Sequence, residues 1–369
     1  MSRPHVALAT RNTEFYENRV FDPRAVASMR PSLQPMALPW ITVRQVARER
    51  GLEVVTADAV ERQGLDPGRV LLLAYDWTPD AERLVERGAR PAALVSFEPP
   101  VIAWWLYANL RRISSLFPHV VLFEGARDRV AHSARFHPLF FPQPCPPPRP
   151  TGQPWSQRRF MVMVNSNKAL PRAFDLARWF DQPREVSLKR ELAALRYQPI
   201  GRERYSARLR VIRAFAARSD FDLYGEGWEQ RHPAVDEQLH AAALRAYRGT
   251  VQDKLALLAR YRFGLAIENT RFAGYVTEKL FDCLYARCIP VYVGAPDVAL
   301  YVPPAAFVDA GQFPNYAALE QFLRAMSEDE AHSYIEAAHT FLISPSFERF
   351  CAERFARDLV DALQLVAEQ

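Results

Sequence analysis

Apolar residues fall along the chain in two patterns. In the first, they run with few breaks, over Val6–Thr10, Leu52–Thr56, Val70–Tyr75, Ala92–Phe97, Val120–Phe123, Phe160–Val164, Phe221–Tyr224, Phe263–Ile267 and Ile289–Val293. Such runs predict strands covered on both faces, the parallel-sheet type. In the second, they recur every three or four positions. That spacing predicts helices over Trp40–Arg50, Pro79–Glu86, Val101–Leu110, Ala169–Phe180, Val186–Arg196, Tyr205–Arg218 and Val251–Arg260, and a tail helix over Phe347–Val366. Strands alternating with helices predict α/β units built on parallel sheets.

Two stretches interrupt the alternation. Asn12–Pro39 is polar and punctuated by proline, and reads as loop. Residues 142–150 are PQPCPPPRP; proline at this density removes backbone donors and fixes φ, so helix and central strand are both excluded. The division expected is an N-terminal domain over 1–141, a proline-rich linker over 142–154, a C-terminal domain over 155–345 and a tail over 346–369. A chain of 369 residues is long enough for two such cores.

Composition narrows the class. A hydrophobic fraction of 49% with 24% charged residues is that of a soluble globular protein. The net charge of +5 and pI of about 9.1 are modest for the length; a solvated basic surface is the default reading, and they also suit a phosphate-bearing ligand or peripheral contact with an anionic membrane surface. No basic block or aromatic-interleaved basic stripe points to nucleic acid. No apolar run reaches the roughly 18–20 residues of a membrane span, and the N-terminus lacks the apolar core of a signal peptide. Cys145, Cys283, Cys288 and Cys351 are too few and scattered for a disulfide framework and read as reduced thiols of a cytoplasmic protein. Cys283 and Cys288, five apart on a predicted helix, are expected on different faces.

The chemistry concentrates in Phe263–Gly294, FGLAIENTRFAGYVTEKLFDCLYARCIPVYVG, which reads as strand, loop, helix, strand. Thr277 is placed as the helix N-cap. Glu268, Asn269, Tyr275, Glu278 and Lys279 then lie at a strand's carboxyl end and a helix N-terminus, where open α/β sheets bind ligands. Upstream, RLRVIRAF starts at Arg208 and precedes the strand that ends at Gly225. In the first half, VSFEPP puts Glu98 just after a strand. Asn167 follows another strand, and Tyr247 lies in YRGTVQDK. Asp220-Phe-Asp222 has a metal-binding D-x-D form but starts a strand, so a structural role is expected. Trp104, Trp105 and Tyr107 read as core. The histidines show no zinc-ligand spacing.

The strings F-x-L-A-x-E-N, Y-V-T-E-K-L and I-P-V-Y-V-G, continued by Tyr301-Val-Pro-Pro and Phe307-Val-Asp, resemble the donor-binding signature of glycosyltransferase family 10, the α-1,3/4-fucosyltransferases. The likeness is strong over 205–309 and partial around Glu98 and 160–167. It implies a GT-B-like fold, two Rossmann-like doubly wound domains facing a cleft, with the tail helix packing back on the N-terminal domain. It also implies GDP-fucose as donor, a glycan acceptor such as a lipopolysaccharide or capsule, and no required cofactor or metal. Arg208 and Lys279 would bind the diphosphate, with Tyr275 and Glu278 near the nucleoside and sugar and Asn269, the asparagine of the family's F-E-N, in the same donor site. Glu98 would be the general base of an inverting transfer. Glu268, Tyr247 and Asn167 are weaker members of the same set. The absence of an apolar anchor fits the soluble bacterial members. Another GDP-sugar donor, or a non-catalytic glycan-binding or scaffold protein of the same fold, remain open alternatives.

Overall fold

Apolar runs without alternation become strands buried on both faces, and they assemble into two separate parallel sheets. The computed structural model describes residues 3–30, 33–145, 153–168, 202–232 and 235–368. The chain divides into one unit of Met1–Cys145 with Glu348–Gln369 and a second of Pro146–Phe347.

The first unit contains β1 (His5–Thr10), β2 (Glu53–Thr56), β3 (Val70–Tyr75), β4 (Arg90–Val95), β5 (His119–Leu122) and β6 (Arg135–Pro138). They form an all-parallel sheet in the order β2-β1-β3-β4-β5-β6. The winding reverses between β1 and β3. Its helices are α1 (Pro23–Ala27), α2 (Gln34–Glu49), α3 (Ala57–Arg62), α4 (Pro79–Glu86), α5 (Trp104–Ala108) and α6 (Leu110–Ser114). At α4, Pro79 sits in the first turn and the Thr78 hydroxyl accepts from Ala81 N at 3.2 Å.

Three expectations differ here. The segment expected as loop over 12–39 holds short helices, and α2 starts at Gln34 with Pro39 inside it. Proline removes one hydrogen bond near the helix start, but that turn buries Ala37 and Trp40 completely. The single helix expected over 101–110 is broken at Asn109, whose side-chain amide donates to the Trp105 carbonyl at 3.0 Å, alongside its own backbone N–H at 3.3 Å. Tyr107 is buried, but Trp105 is 46% exposed rather than core.

The C-terminal helix (Ala352–Ala367), preceded by a 3-10 turn over Pro345–Phe350, belongs to the first unit. Its Phe355 joins Trp40, Tyr75, Phe97 and Phe141, ring centroids 4.9–5.9 Å apart. This aromatic cluster immobilises Phe97, the residue before Glu98. The same helix is fastened by a Cys145–Cys351 disulfide with a Cα–Cα distance of 5.6 Å, and Gln143 pairs with the Cys351 backbone beside it. The reading of four reduced thiols is therefore corrected. A sequence separation of 206 hid the partners.

The second unit contains β7 (Arg159–Val164), β8 (Arg202–Glu203), β9 (Phe221–Tyr224), β10 (Tyr261–Ile267), β11 (Thr270–Arg271), β12 (Ile289–Val293) and β13 (Val308–Asp309). Five of them form a parallel sheet in the order β13-β12-β10-β7-β9, and β8 pairs antiparallel with β11. Helices α7 (Tyr205–Phe215), α8 (Glu237–Ala246), α9 (Lys254–Leu258) and α10 (Glu278–Tyr285) follow in order, with two more over Tyr316–Ala325 and Glu328–Leu342. The helices expected over 169–180 and 186–196 lie outside the described residues. Helix α10 ends before Cys288, so Cys283 and Cys288 are not two positions on different faces of one helix. Both thiols are free and face Gly264, where a Cβ would come within 2.6 and 3.2 Å of the two sulfurs.

Candidate active site

In the second sheet β9 lies on one side of β7 and β10 on the other, so the winding reverses between β7 and β10. The carboxyl ends of strands at such a point are where open parallel sheets bind ligands. The residues delivered there are Asn165 and Asn167 from β7, and Glu268 and Asn269 from β10.

Helix α7 is tied to that edge at its start. Glu203 pairs with Thr270 across β8 and β11, and Arg204 N donates to Asn269 O at 2.9 Å. One turn on, Arg208 Nη2 donates to Ile267 O at 2.9 Å and to Asn269 Oδ1 at 2.8 Å. Its guanidinium also lies 4.9 Å above the Tyr205 ring. Arg208 is 3% exposed, yet among the described residues it forms no ion pair, and its Nε is buried without a hydrogen-bond partner. Burial lowers its pKa, and Glu268 and Glu278 offset this only at a distance. A guanidinium stays charged even so. A buried cation lacking a contacting carboxylate favours an anionic ligand, because an uncompensated interior charge is costly.

Helix α10 adds the second cation. Thr277 stands at its N-cap, but its side chain does not cap the helix. The hydroxyl is bonded to Glu268 instead, at 2.8 Å to Oε2, while Thr277 N donates to Oε1 at 2.8 Å. Lys279 Nζ donates to Thr277 Oγ1 and to Glu278 Oε1, both at 3.0 Å, and lies 3.4 Å from Glu268 Oε2. Glu268 is fully buried, and Gly294 at the end of β12 has no room for a Cβ, which would lie 2.6 Å from Glu268 Cγ. Burial raises the Glu268 pKa; it also pushes Glu278 up, but Lys279 and Lys254 outweigh burial there and hold that carboxyl at about 2. Lys279 stays protonated because Glu278 and Glu268 overcome its burial, with Arg208 close enough to oppose them. Asn269 Nδ2 donates to Tyr275 Oη at 3.2 Å, closing the set.

Arg208, Glu268, Asn269, Tyr275, Glu278 and Lys279 are thus brought to one place. Behind them lies an ion pair to which sequence reasoning assigned no role: Lys254 Nζ sits 2.7 Å from Asp282 Oδ2, one helical turn beyond Glu278. The i, i+4 spacing of Glu278 and Asp282 was the available signal, since like charges one turn apart call for a cation between them.

Asn167 and Tyr247 belong to the neighbouring edge. Asn167 Nδ2 donates to the Gly227 and Gln230 carbonyls at 3.0 and 2.9 Å, and Tyr247 Oη donates to Gly225 O at 3.0 Å. Both brace the turn after β9. Among the described residues, Asn165 Oδ1 and Asn167 Oδ1 are buried and accept no hydrogen bond. Asp220 and Asp222 are taken up by arginines: Asp220 by Arg324, and Asp222 by Arg159 and Arg248 with a bond from Tyr261 at 2.7 Å. The metal-ligand grouping found among the described residues is Cys145, Cys351 and Glu353, whose two sulfurs are bonded to each other.

In the first unit Glu98 follows β4 and is 18% exposed at its side chain. Its carboxylate lies 3.2 Å from Arg11 Nη2, and Arg11 Nε lies 3.3 Å from Asp76 Oδ2. Tyr107 Oη donates to Glu98 O at 3.1 Å, and Glu98 N donates to Ser96 Oγ at 3.2 Å. Sequence reasoning missed Arg11 and Asp76. Each is the first residue after its strand, the same positional signal that singled out Glu98.

Among the described residues, no helix is long and apolar enough to cross a membrane. Residues 189–347 match the model of the glycosyltransferase family 10 (fucosyltransferase) C-terminal region. An alpha-(1,3)-fucosyltransferase of Helicobacter pylori is 39% identical over 90 residues, covering 24% of this chain and 16% of the relative. An alpha-(1,3)-fucosyltransferase 7 of Bos taurus is 29% identical over 230 residues, covering 55% of this chain and 61% of the relative. The matches thus span less than two thirds of these relatives' own length. In fold, the chain is similar to a crystal structure of an alpha1,3-fucosyltransferase, with TM-score 0.53, 13% identity and coverage of 99% of this chain and 90% of the other. A glycosyltransferase from Rickettsia africae gives TM-score 0.53 at 9% identity, covering 99% of both chains.

Proposed function

Through residues 189–347 the chain belongs to glycosyltransferase family 10, the fucosyltransferases, and from that premise we propose that it is an inverting enzyme moving L-fucose from GDP-β-L-fucose to a hydroxyl of a glycan. The observation that carries this reading is the buried Arg208, which has no contacting carboxylate among the described residues and stands near Lys279 at the winding reversal of the second sheet. Two such cations suit a diphosphate, and the names of the relatives point to fucose as the sugar.

In this mechanism Arg208 and Lys279 hold the diphosphate oxygens and stabilise the charge that grows on them as the sugar leaves. Glu278 accepts hydrogen bonds from sugar or ribose hydroxyls. The acceptor oxygen attacks the anomeric carbon from the face opposite GDP. Its proton passes to the Glu98 carboxylate as the new C–O bond forms. The bond from the anomeric carbon to the β-phosphate oxygen breaks, and its electron pair leaves with GDP.

The test is incubation with GDP-fucose, GDP-mannose and UDP-glucose, each with a panel of oligosaccharide acceptors, followed by mass spectrometry. Addition of one deoxyhexose to an acceptor, from GDP-fucose alone, is the expected result. Transfer only from another nucleotide sugar overturns the donor assignment, and no transfer together with no GDP binding overturns the enzyme reading.

A further inference from the structure

The carboxyl edge of the first sheet carries two charged residues that the proposed mechanism leaves unused, Arg11 and Asp76. Arg11, Asp76 and Glu98 follow the adjacent strands β1, β3 and β4, and the first two flank the winding reversal of that sheet. One guanidinium spans two carboxylates, with Nε at 3.3 Å from Asp76 and Nη2 at 3.2 Å from Glu98. Both distances exceed the roughly 2.7–2.9 Å of a tight charge-assisted hydrogen bond. The group of three carries one net negative charge when all are ionised.

Asp76 is built in with care. It is 5% exposed and adopts a left-handed φ of 66°, unusual for a residue with a side chain, while its N–H donates to Val95 O at 2.8 Å. Backbone strain of this kind persists only where the surroundings enforce it and is often found at functional sites. Among the described residues, Tyr75 at the end of β3 and Tyr107 on α5 are further titratable groups coupled to Glu98. Burial raises both phenols well above their ordinary range, with Asp76 and Glu98 adding to it, so they stay protonated. Burial also raises the Asp76 carboxyl, against the pull of Arg11 and Ser96.

We propose that Arg11 and Asp76 are positioning residues for Glu98, with Arg11 fixing the Glu98 carboxylate and Asp76 taking part of the guanidinium's charge so that Glu98 keeps its basicity. The inference rests on Glu98 being the base. With Asp76 in place, Arg11 orients Glu98 without neutralising it. Without Asp76, the guanidinium's field falls on Glu98 alone and its affinity for a proton drops. Without Arg11, two carboxylates face each other, and the proton affinity of Glu98 rises.

The experiment is the pH dependence of kcat/KM for fucose transfer in the full chain, for wild type, Asp76→Asn, Arg11→Met and Glu98→Gln. The acidic limb is expected to move to lower pH in Asp76→Asn and to higher pH in Arg11→Met, each by roughly one pH unit. GDP affinity, which reports on the other unit, stays unchanged in both. Limbs that move together, or do not move, overturn the inference. If Asp76→Asn fails to fold, Arg11→Met decides alone, since Arg11 is 38% exposed at its side chain and a wild-type limb in that variant is sufficient refutation. Full turnover by Glu98→Gln overturns the base assignment itself, a different outcome from an inactive Glu98→Gln together with unshifted limbs in Asp76→Asn and Arg11→Met.

Discussion

Arg208 is bound to Asn269 through an Nη2···Oδ1 hydrogen bond of 2.8 Å, so the cation's nearest side-chain acceptor is a neutral amide. That choice leaves the positive charge unspent. Asn269→Ala removes the anchor and is expected to weaken GDP binding roughly tenfold, about one hydrogen bond's worth. Asn269→Asp keeps the acceptor but supplies an anion that competes with the diphosphate, so it should weaken GDP more than Asn269→Ala does. Calorimetry on both variants decides; an aspartate variant binding as well as wild type would show that the amide's neutrality is irrelevant.

Lys254 holds apart two carboxylates one turn apart on α10. Lys254→Met leaves Asp282 and Glu278 facing each other without it, and should lower stability by roughly 1–3 kcal/mol, less than for a fully buried pair because Lys254 is 31% exposed at its side chain. Adding Asp282→Asn to that variant should restore most of the loss. Urea unfolding of the single and double variants measures both quantities, and a double variant no better than the single one would remove the charge argument.

The acid stability of the fold follows from Glu278. Its carboxyl titrates at about 2 in the folded protein, below its ordinary value of 4.5. Its contribution to stability is therefore complete above pH 4.5 and is lost as the pH falls toward 2. Glu268 and Asp282 are shifted the other way by burial, so they do not add to that loss. Between pH 5 and 3, the urea midpoint of wild type should fall more steeply than that of Glu278→Gln. Parallel curves would mean that Glu278 is not held down by its lysines.

The Cys145–Cys351 bond closes the loop that contains the whole second unit. A disulfide of this kind contributes about 2–4 kcal/mol, chiefly by restricting the unfolded chain. Reduction should lower the melting temperature, and thiol titration of the denatured, unreduced protein should find two free thiols, Cys283 and Cys288. Protein held in a reducing cytosol should instead yield four thiols. The cytoplasmic expectation and the bond thus make opposite forecasts for material taken directly from cells.

The long central strands were legible because burial on both faces leaves an unbroken apolar run, as in Val70–Tyr75. The strands that escaped notice are short and lie at edges: β6 is Arg-Phe-His-Pro, and β8, β11 and β13 have two residues each. Helix α2 was half hidden by Pro35 and Pro39, whose local cost is outweighed by a buried Trp40 that only tertiary structure reveals. The residues clustered at the carboxyl edge of the second sheet were legible because five of them lie within twelve positions around one strand–helix junction. Arg11 and Asp76 were not, because their meaning comes from the order β1-β3-β4, which places residues 11, 76 and 98 side by side.

The central claim is that Arg208 and Lys279 together hold a guanosine diphosphate. Titration calorimetry with GDP on wild type, Arg208→Ala and Lys279→Ala tests it most directly. Each substitution should weaken binding by roughly 1.5–3 kcal/mol, the value of a hydrogen bond to a charged group, with both proteins still folded. Unchanged GDP affinity in both variants would contradict it.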